Sequence, residues 1–235
     1  MKKVIDGNQV LYEMLNKQNI DLLQFIIESS YFSRKEDVEK DKKEMIFQIE
    51  NGEDLFIRHK SKIKEIEKIK DGKSIKSKSL ALKYQKDNVL YYNIEKTKIP
   101  IKFDSDGNYM PKLKLKKNTK YSISSGKDTS DLINYKISHI WDNTSHPLYF
   151  SSLWNIIVVP KCLDHFVDDD NIDIDYETFS EKKLNTKMFF KALVTVLYDL
   201  KKFKNDHHIY FNDDEISDIY LEFASKYLNQ IKYFD

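Results

Sequence analysis

The chain has 235 residues, 40% hydrophobic and 33% charged, with 39 basic against 38 acidic side chains and a net charge of +1. That composition suits a folded chain with a substantial core and excludes a generic polycation. One cysteine excludes a disulfide framework and a Cys-stapled zinc site. No run of 18 apolar residues is present, so no transmembrane helix and no membrane partner are expected. The start, MKKVIDGNQV, lacks an apolar signal core, and a cytoplasmic location is expected.

Residues 8 to 29 carry a broad apolar stripe at helical spacing, from Val10, Leu11, Met14 and Leu15 to Leu22, Leu23, Ile26 and Ile27. Ser33-x-x-Glu36 has the form of a capping box and predicts a second helix to about Glu50, ended by Asn51-Gly52. Ile63, Ile66 and Ile69 recur every three residues and predict a one-sided helix over Glu53 to Lys70. The GKSIKSKS run from Gly72 lacks the upstream glycine of a phosphate loop, because position 67 is Glu.

From Leu80 the period changes to two. Short strands are predicted around Leu80 to Tyr84, Val89 to Ile94 and Ile99 to Phe103, with turns at Lys86-Asp87-Asn88 and Asp104 to Asn108. Leu113 and Leu115 alternate with lysines, as in an edge strand or the start of a basic face. The change near residue 80 divides the chain into a helical region, 1–79, and a β-containing region, 80–235. Charge is uneven along it. Lys60 to Lys86 holds ten lysines and Lys112 to Lys127 six, whereas Asp164 to Glu181 carries eight acids. Lysine stretches of this kind can neutralise phosphates, which makes DNA an expected partner, or they can be solvated faces.

The most diverse chemistry lies between Lys136 and Asp170. This stretch holds both tryptophans, three of the six histidines and Cys162. Tyr135 to Ile140 alternates as a strand. Leu153 to Val159 is a second, β-branched strand stopped by Pro160, which is well placed to open a helix over Lys161 to Asp169. In that helix Leu163, Phe166 and Val167 face inward. Thr186 to Lys204 and Asp213 to Tyr233 then read as two C-terminal helices with aromatic inner faces. His207-His208 falls in the linker between them, an exposed turn without a spaced third ligand.

The order strand, loop, strand, helix, with His139 ending the first strand and Asn155 at the second, resembles the HNH-type (ββα-metal) endonuclease superfamily in a zinc-free bacterial branch. The resemblance covers about 35 of the 235 residues. It implies an α+β fold, a ββα-metal core at about 134–170 flanked by N-terminal and C-terminal helices. It implies a hydrolase that cuts DNA, with restriction or phage defence as the setting in which such families commonly occur. His139 takes the place of the general base and Asn155 that of the residue orienting the histidine or its loop. The third place stays open between His165 and the pair Asp168/Asp169. Ser138 stands where the family has an acidic ligand, and Asp142 is the expected substitute. Mg²⁺ or Mn²⁺ would then be held by Asp142, Asp168 or Asp169, with His165 as an alternative. Two rivals remain: an RNA-directed nuclease toxin of the same motif, and a non-catalytic interaction subunit of a larger complex. A homodimer or a partner subunit of a defence complex is the expected assembly.

Overall fold

A computed structural model describes residues 7–58, 90–94, 97–104, 107–124, 130–169, 172–176, 178–202 and 216–234. The fold is mixed α+β, with small sheets set among helices. The expected strand at Leu80 to Tyr84, the expected boundary near residue 80, the turn at Lys86 to Asn88 and His207-His208 lie outside the described residues.

Three helices open the chain: α1 (Gly7–Lys17), α2 (Leu22–Ser29) and α3 (Lys35–Glu50). The single helix expected over residues 8 to 29 is thus two. Asn19 takes a left-handed backbone (φ 55°), which ends α1, and the Asp21 carboxylate caps α2 by accepting from Gln24 N–H at 3.0 Å. The Ser33/Glu36 capping box does not form. The residue preceding α3 is Arg34, without a side-chain cap, and the buried Ser33 hydroxyl has no hydrogen-bond partner.

Strand β1 (Leu55–Arg58) replaces the start of the helix expected over Glu53 to Lys70. Residues 59–70 of that segment are outside the described set. β1 pairs in parallel with β3 (Thr97–Asp104), which pairs antiparallel with β2 (Leu90–Ile94). A tertiary partner decides this strand: Leu55 and Ile57 enter the interior while Phe56 and Arg58 sit at intermediate depth. Helix α4 (Tyr109–Thr119) stands where an edge strand was expected from Leu113 and Leu115. Two features override the alternation. The buried Asp104 carboxylate accepts from the backbone N–H groups of Gly107, Tyr109 and Met110 at 2.5–3.1 Å, satisfying donors of the first helical turn. Lys114 and Lys117 then pair with Asp41 and Glu44 of α3 at 2.6 and 2.8 Å. Two of the lysines expected to form a basic face are therefore spent on helix–helix contacts.

Short strands β4 (Ile123–Ser124) and β5 (Leu132–Ile133) lead to the centre of the fold. There β6 (Tyr135–His139) runs antiparallel to β7 (Ile156–Pro160), with His139 opposite Ile156 and Tyr135 opposite Pro160. Ile156, Ile157, Val158 and Val159 are all 0–1% exposed. A strand covered on both faces needs a continuous apolar run rather than an alternating one. The other edge of β7 is used as well, because Tyr31 and Val158 exchange both backbone hydrogen bonds at 2.8 and 3.1 Å. Between the two strands lie α5 (Pro147–Phe150) and a 3₁₀ turn (Leu153–Asn155). After β7 comes α6 (Asp164–Asp168), which starts four residues beyond Pro160 rather than at it. Leu163, Phe166 and Val167 are buried as their spacing requires.

A β8/β9 hairpin (Asp173–Asp175, Lys183–Asn185) precedes α7 (Thr186–Tyr198), whose buried face meets α8 (Asp218–Ser225). α7 ends at Asp199, again left-handed at φ 51°. α8 is shorter than the helix expected to Tyr233 and gives way to a 3₁₀ turn (Leu228–Gln230). One apolar cluster runs from Tyr12 and Leu22 through β7 to Phe234, so the N-terminal helices and the β-containing region share a core. Among the described residues no helix is long and apolar enough to cross a membrane.

Candidate functional site: a charged recess beside the central strands

β6 ends at His139, and the chain turns sharply into the loop that leads to α5. Asp142 N–H returns to His139 O at 3.3 Å, and Asp142 itself holds a left-handed backbone, φ 49°. A non-glycine residue in that region stores on the order of 1–2 kcal/mol, so the rest of the loop must hold it. Asn155 does most of the holding. It is fully buried; its Oδ1 accepts from Trp141 N–H at 2.9 Å, its Nδ2 donates to Tyr149 O at 3.0 Å, and its carbonyl accepts from Ile140 N–H at 3.0 Å. One side chain thereby ties both ends of the loop to the start of β7.

His139 is 5% exposed and stacks on Phe150, with ring centroids 5.8 Å apart. Its Nε2 lies 2.9 Å from Phe150 O, which can only accept. Nε2 therefore carries the proton and Nδ1 keeps the lone pair. Burial pulls the imidazole down to about 4, partly opposed by the Phe150 hydrogen bond. It is neutral at pH 7.

A recess of about 100 Å³ opens beside these groups. His139, Asp142, Thr144 and Asp168 line it, together with Lys136 and Ile137 of β6, Arg58 of β1 and Asn108 just before α4. α6, which packs against β6, delivers Asp168. β1 delivers Arg58, anchored by its own N–H to Thr144 O at 2.9 Å. At roughly 30 Å³ per water, the recess holds about three waters' worth of volume. That is room for a phosphoryl group or a hydrated ion.

Its charges are mixed. Asp142 is pushed up from its ordinary value, first by burial and further by the nearby Asp168 carboxylate, while Lys187 pulls it down. Lys187, the second residue of α7, is 1% exposed; it pairs with the Asp142 carboxylate and donates to Asp168 O at 3.0 Å. Lys136 pairs with Asp164 and lies 4.0 Å from Asp168. Arg58 Nε and Asn108 Oδ1 are buried without a hydrogen-bond partner.

Of the residues singled out in the sequence, three converge on the recess: His139, Asp142 and Asp168. Asn155 lies behind it as the loop tie. His165 and Asp169 are not among the residues lining it; the His165 ring packs on Phe166, with centroids 4.1 Å apart, and Asp169 N–H closes α6 onto His165 O at 3.1 Å. The expected metal set of Asp142, His165, Asp168 and Asp169 is therefore not assembled as a group. Among the described residues no three His, Cys, Asp or Glu side chains are placed to hold a metal ion. Sequence reasoning missed Arg58, Lys136, Asn108, Thr144 and Lys187. Two signals could have found the main cations. Arg58 is one of only two arginines among 39 basic residues. Lys187 stands on the inward stripe of α7, three and seven residues before Phe190 and Val194, where an apolar side chain would be expected.

A family model described as "Uncharacterised protein PM1201" matches residues 33–232. The chain belongs to this family. The match takes in α3, both central strands and the whole recess. "Uncharacterized protein PM1201" of Pasteurella multocida (strain Pm70) is 42% identical over 41 residues, 17% of this chain and 19% of that protein. The aligned part thus spans about a fifth of the relative's length. No solved structure matches the chain.

Proposed function

We propose that this PM1201-family chain is a metal-dependent nuclease that hydrolyses phosphodiester bonds of DNA, built on a ββα-metal core of β6, β7 and α6. One observation carries the reading: a neutral histidine at the end of β6, two carboxylates and two cationic side chains meet in a recess of about 100 Å³ beside an antiparallel strand pair followed by a helix.

In this reading His139 is the general base. Its proton sits on Nε2, bound to Phe150 O, so Nδ1 is the nitrogen that takes a proton from the attacking water. Its low basicity rises as an anionic phosphate enters the recess, because a nearby negative charge favours the imidazolium. Arg58 and Lys136 attract and orient the phosphate. Asn155 keeps the loop bearing Asp142 in register with His139. The carboxylates that would hold Mg²⁺ or Mn²⁺ are Asp142 and Asp168, with water and substrate phosphate in the other positions, since no third His, Cys, Asp or Glu joins them among the described residues. When bound, that ion supplies positive charge to the phosphate and the leaving oxygen. The dimensions of the recess support recognition of the sugar–phosphate backbone rather than a base.

Nicking of supercoiled plasmid with Mg²⁺, Mn²⁺ or EDTA tests this, comparing the intact chain with His139→Ala and Asp168→Asn. Metal-dependent nicking lost in both variants is expected. Nicking that survives in His139→Ala would overturn the assignment of the base. Duplex DNA and RNA are compared under the same conditions, and faster cleavage of RNA would move the reading to an RNA-directed nuclease. A second reading, a phosphate-binding subunit without catalysis, draws support from the depth at which His139 is buried. DNA binding that needs Arg58 and Lys136, without nicking under any metal, is its signature.

A further inference from the structure

Three partly exposed tyrosines gather at the end of β6 opposite His139. Tyr31 is held on the second edge of β7 by its two backbone hydrogen bonds to Val158. The C-terminal segment runs beside it, with Phe32 N–H to Lys232 O at 2.9 Å and Phe234 N–H to Phe32 O at 3.1 Å. That register stacks the buried Phe234 on the Tyr31 ring, centroids 5.2 Å apart, and sets Lys232 Nζ 4.1 Å from the centre of the same ring. Tyr121 and Tyr135 flank Tyr31, with ring centroids 6.3 and 5.7 Å from it. At Tyr135 the face opens into a groove of about 480 Å³, lined also by Ile133, Asn134, Pro160, Lys161 and Cys162, with no acid among these residues. Each flanking tyrosine has a lysine at its border. Lys120 ends α4 just before Tyr121, and Lys161 follows Pro160, the residue opposite Tyr135. Both lysines are exposed and make no ion pair among the described residues, unlike Lys114 and Lys117, which pair with α3. The acid at this border is Asp131, whose carboxylate accepts from Ser122 N–H and Oγ at 2.7 Å.

We propose that this face binds a single strand of DNA, with unpaired bases stacked on Tyr121 and Tyr135 and the backbone drawn in by Lys120 and Lys161. Aromatic faces beside unpaired ammonium groups match a polymer that carries both flat bases and phosphates. An apolar peptide would leave the lysines unanswered, and a paired duplex hides the faces of its bases. Tyr31 is the support between the two platforms, already stacked on Phe234 and covered by Lys232. Tyr135 and His139 stand at the two ends of β6, roughly 13 Å apart at the rise of a strand. The face is therefore a site apart from the recess. It goes beyond the nuclease reading and holds equally for a chain that binds without cutting.

The test is fluorescence anisotropy of a labelled thymidine oligomer of about 20 nucleotides with the intact chain, in EDTA so that no cleavage enters. Binding is expected at low salt, at least about tenfold tighter than to an abasic oligomer of the same length and charge, or to a duplex. Tyr121→Ala and Tyr135→Leu should each weaken it on the order of tenfold. Tyr135→Phe, which keeps the ring and loses only the hydrogen bond from the hydroxyl to Ser29 O, should bind as the intact chain does. Lys120→Gln and Lys161→Gln should each reduce the salt slope by about 0.7. Cys162, the one cysteine of the chain, reports on the groove itself: the bound oligomer should slow its alkylation by iodoacetamide. Thermal melts check the fold of each variant. Equal affinity for the abasic oligomer overturns stacking, and equal or tighter duplex binding overturns the single strand. Tighter binding of a uridine oligomer overturns the choice of DNA. Unchanged Cys162 alkylation with DNA bound, or no binding at low salt, overturns the site. Each of these results leaves the plasmid-nicking test of the recess untouched, so either reading can fail alone.

Discussion

Acidification from pH 7 to 5 should destabilise the fold far more than its carboxylates would suggest, because two histidines are buried neutral. His139 and His146 are each pulled from 6.5 to about 4, by burial in both cases. His146 is packed between Tyr92 and Tyr149, and its Nδ1 caps α5 by accepting from Leu148 N–H at 3.2 Å. Between the two pKa values the unfolded chain holds a proton that the folded chain does not, so stability rises with pH in that window. At pH 5 the deficit is about 2 kcal/mol per histidine, roughly 4 kcal/mol together. It grows to about 3 kcal/mol each near pH 4 and stops there, since both states are then protonated. Asp142 acts in the opposite sense: its raised pKa means the folded state takes up that proton first, which offsets part of the loss. For a domain of ordinary stability, 5–15 kcal/mol, the net loss is readily measured. Urea unfolding followed by tryptophan fluorescence at half-unit steps from pH 7 to 4.5 gives the slope. His146→Asn keeps an acceptor for Leu148 N–H, and His139→Gln keeps a donor for Phe150 O. Each should remove about half of the slope. A flat profile between pH 6.5 and 4.5, or an unchanged slope in the double variant, would refute the reasoning.

Asn155→Ala removes the acceptor of Trp141 N–H and the donor to Tyr149 O at a fully buried position, at roughly 1–3 kcal/mol for each group left unsatisfied. A stability loss of about 2–5 kcal/mol is expected, and nicking should fall with it even at temperatures where the variant is folded. Lys187→Met should cost only about 1–2 kcal/mol, less than the ~3–5 of breaking a fully buried pair, because half of the Asp142 side chain is exposed. The same substitution should raise the Asp142 pKa further, read by carboxyl-carbon NMR titration. A lowered pKa there would mean that Lys187 does not act on this carboxylate.

The central strand pair was legible because its signals are local. Alternation in YKISH, the apolar run IIVV and the stop at Pro160 each act within a few residues, and they place His139, Asn155 and Asp168 in order along the chain. The recess was only half legible, because its cations arrive from elsewhere. Arg58 belongs to a strand that exists by pairing with β3, and the Ile63/Ile66/Ile69 spacing just beyond it argued for helix. Lys187 lies inside a helix whose start at Thr186 was read correctly, although it ends at Tyr198 rather than Lys204, and its role depends on Asp142 and Asp168 facing it. The helix over Tyr109–Thr119 shows the reverse error. KLKLKK alternates like a strand, but the Asp104 carboxylate and the Asp41 and Glu44 side chains supply what a helix there requires. Pattern reasoning failed where a distant side chain, rather than the local period, chose the conformation.

The placement of Asp142 links these observations. In a β6–β7 unit of this kind the residue before the histidine is Ser138, 1% exposed with a hydroxyl that has no hydrogen-bond partner, so it brings no charge to the recess. The carboxylate comes instead from three residues later, and it reaches the recess only because the chain takes a left-handed turn at Asp142 and Asn155 holds both ends of the loop. A carboxylate carried on a strained loop is less rigid than one on a strand, and the buried Lys187 supplies the missing constraint by fixing the Asp142 carboxylate to the N-terminal turn of α7. The cost of that device is a positive charge held against the Asp142 carboxylate, in a recess that Arg58 and Lys136 already line.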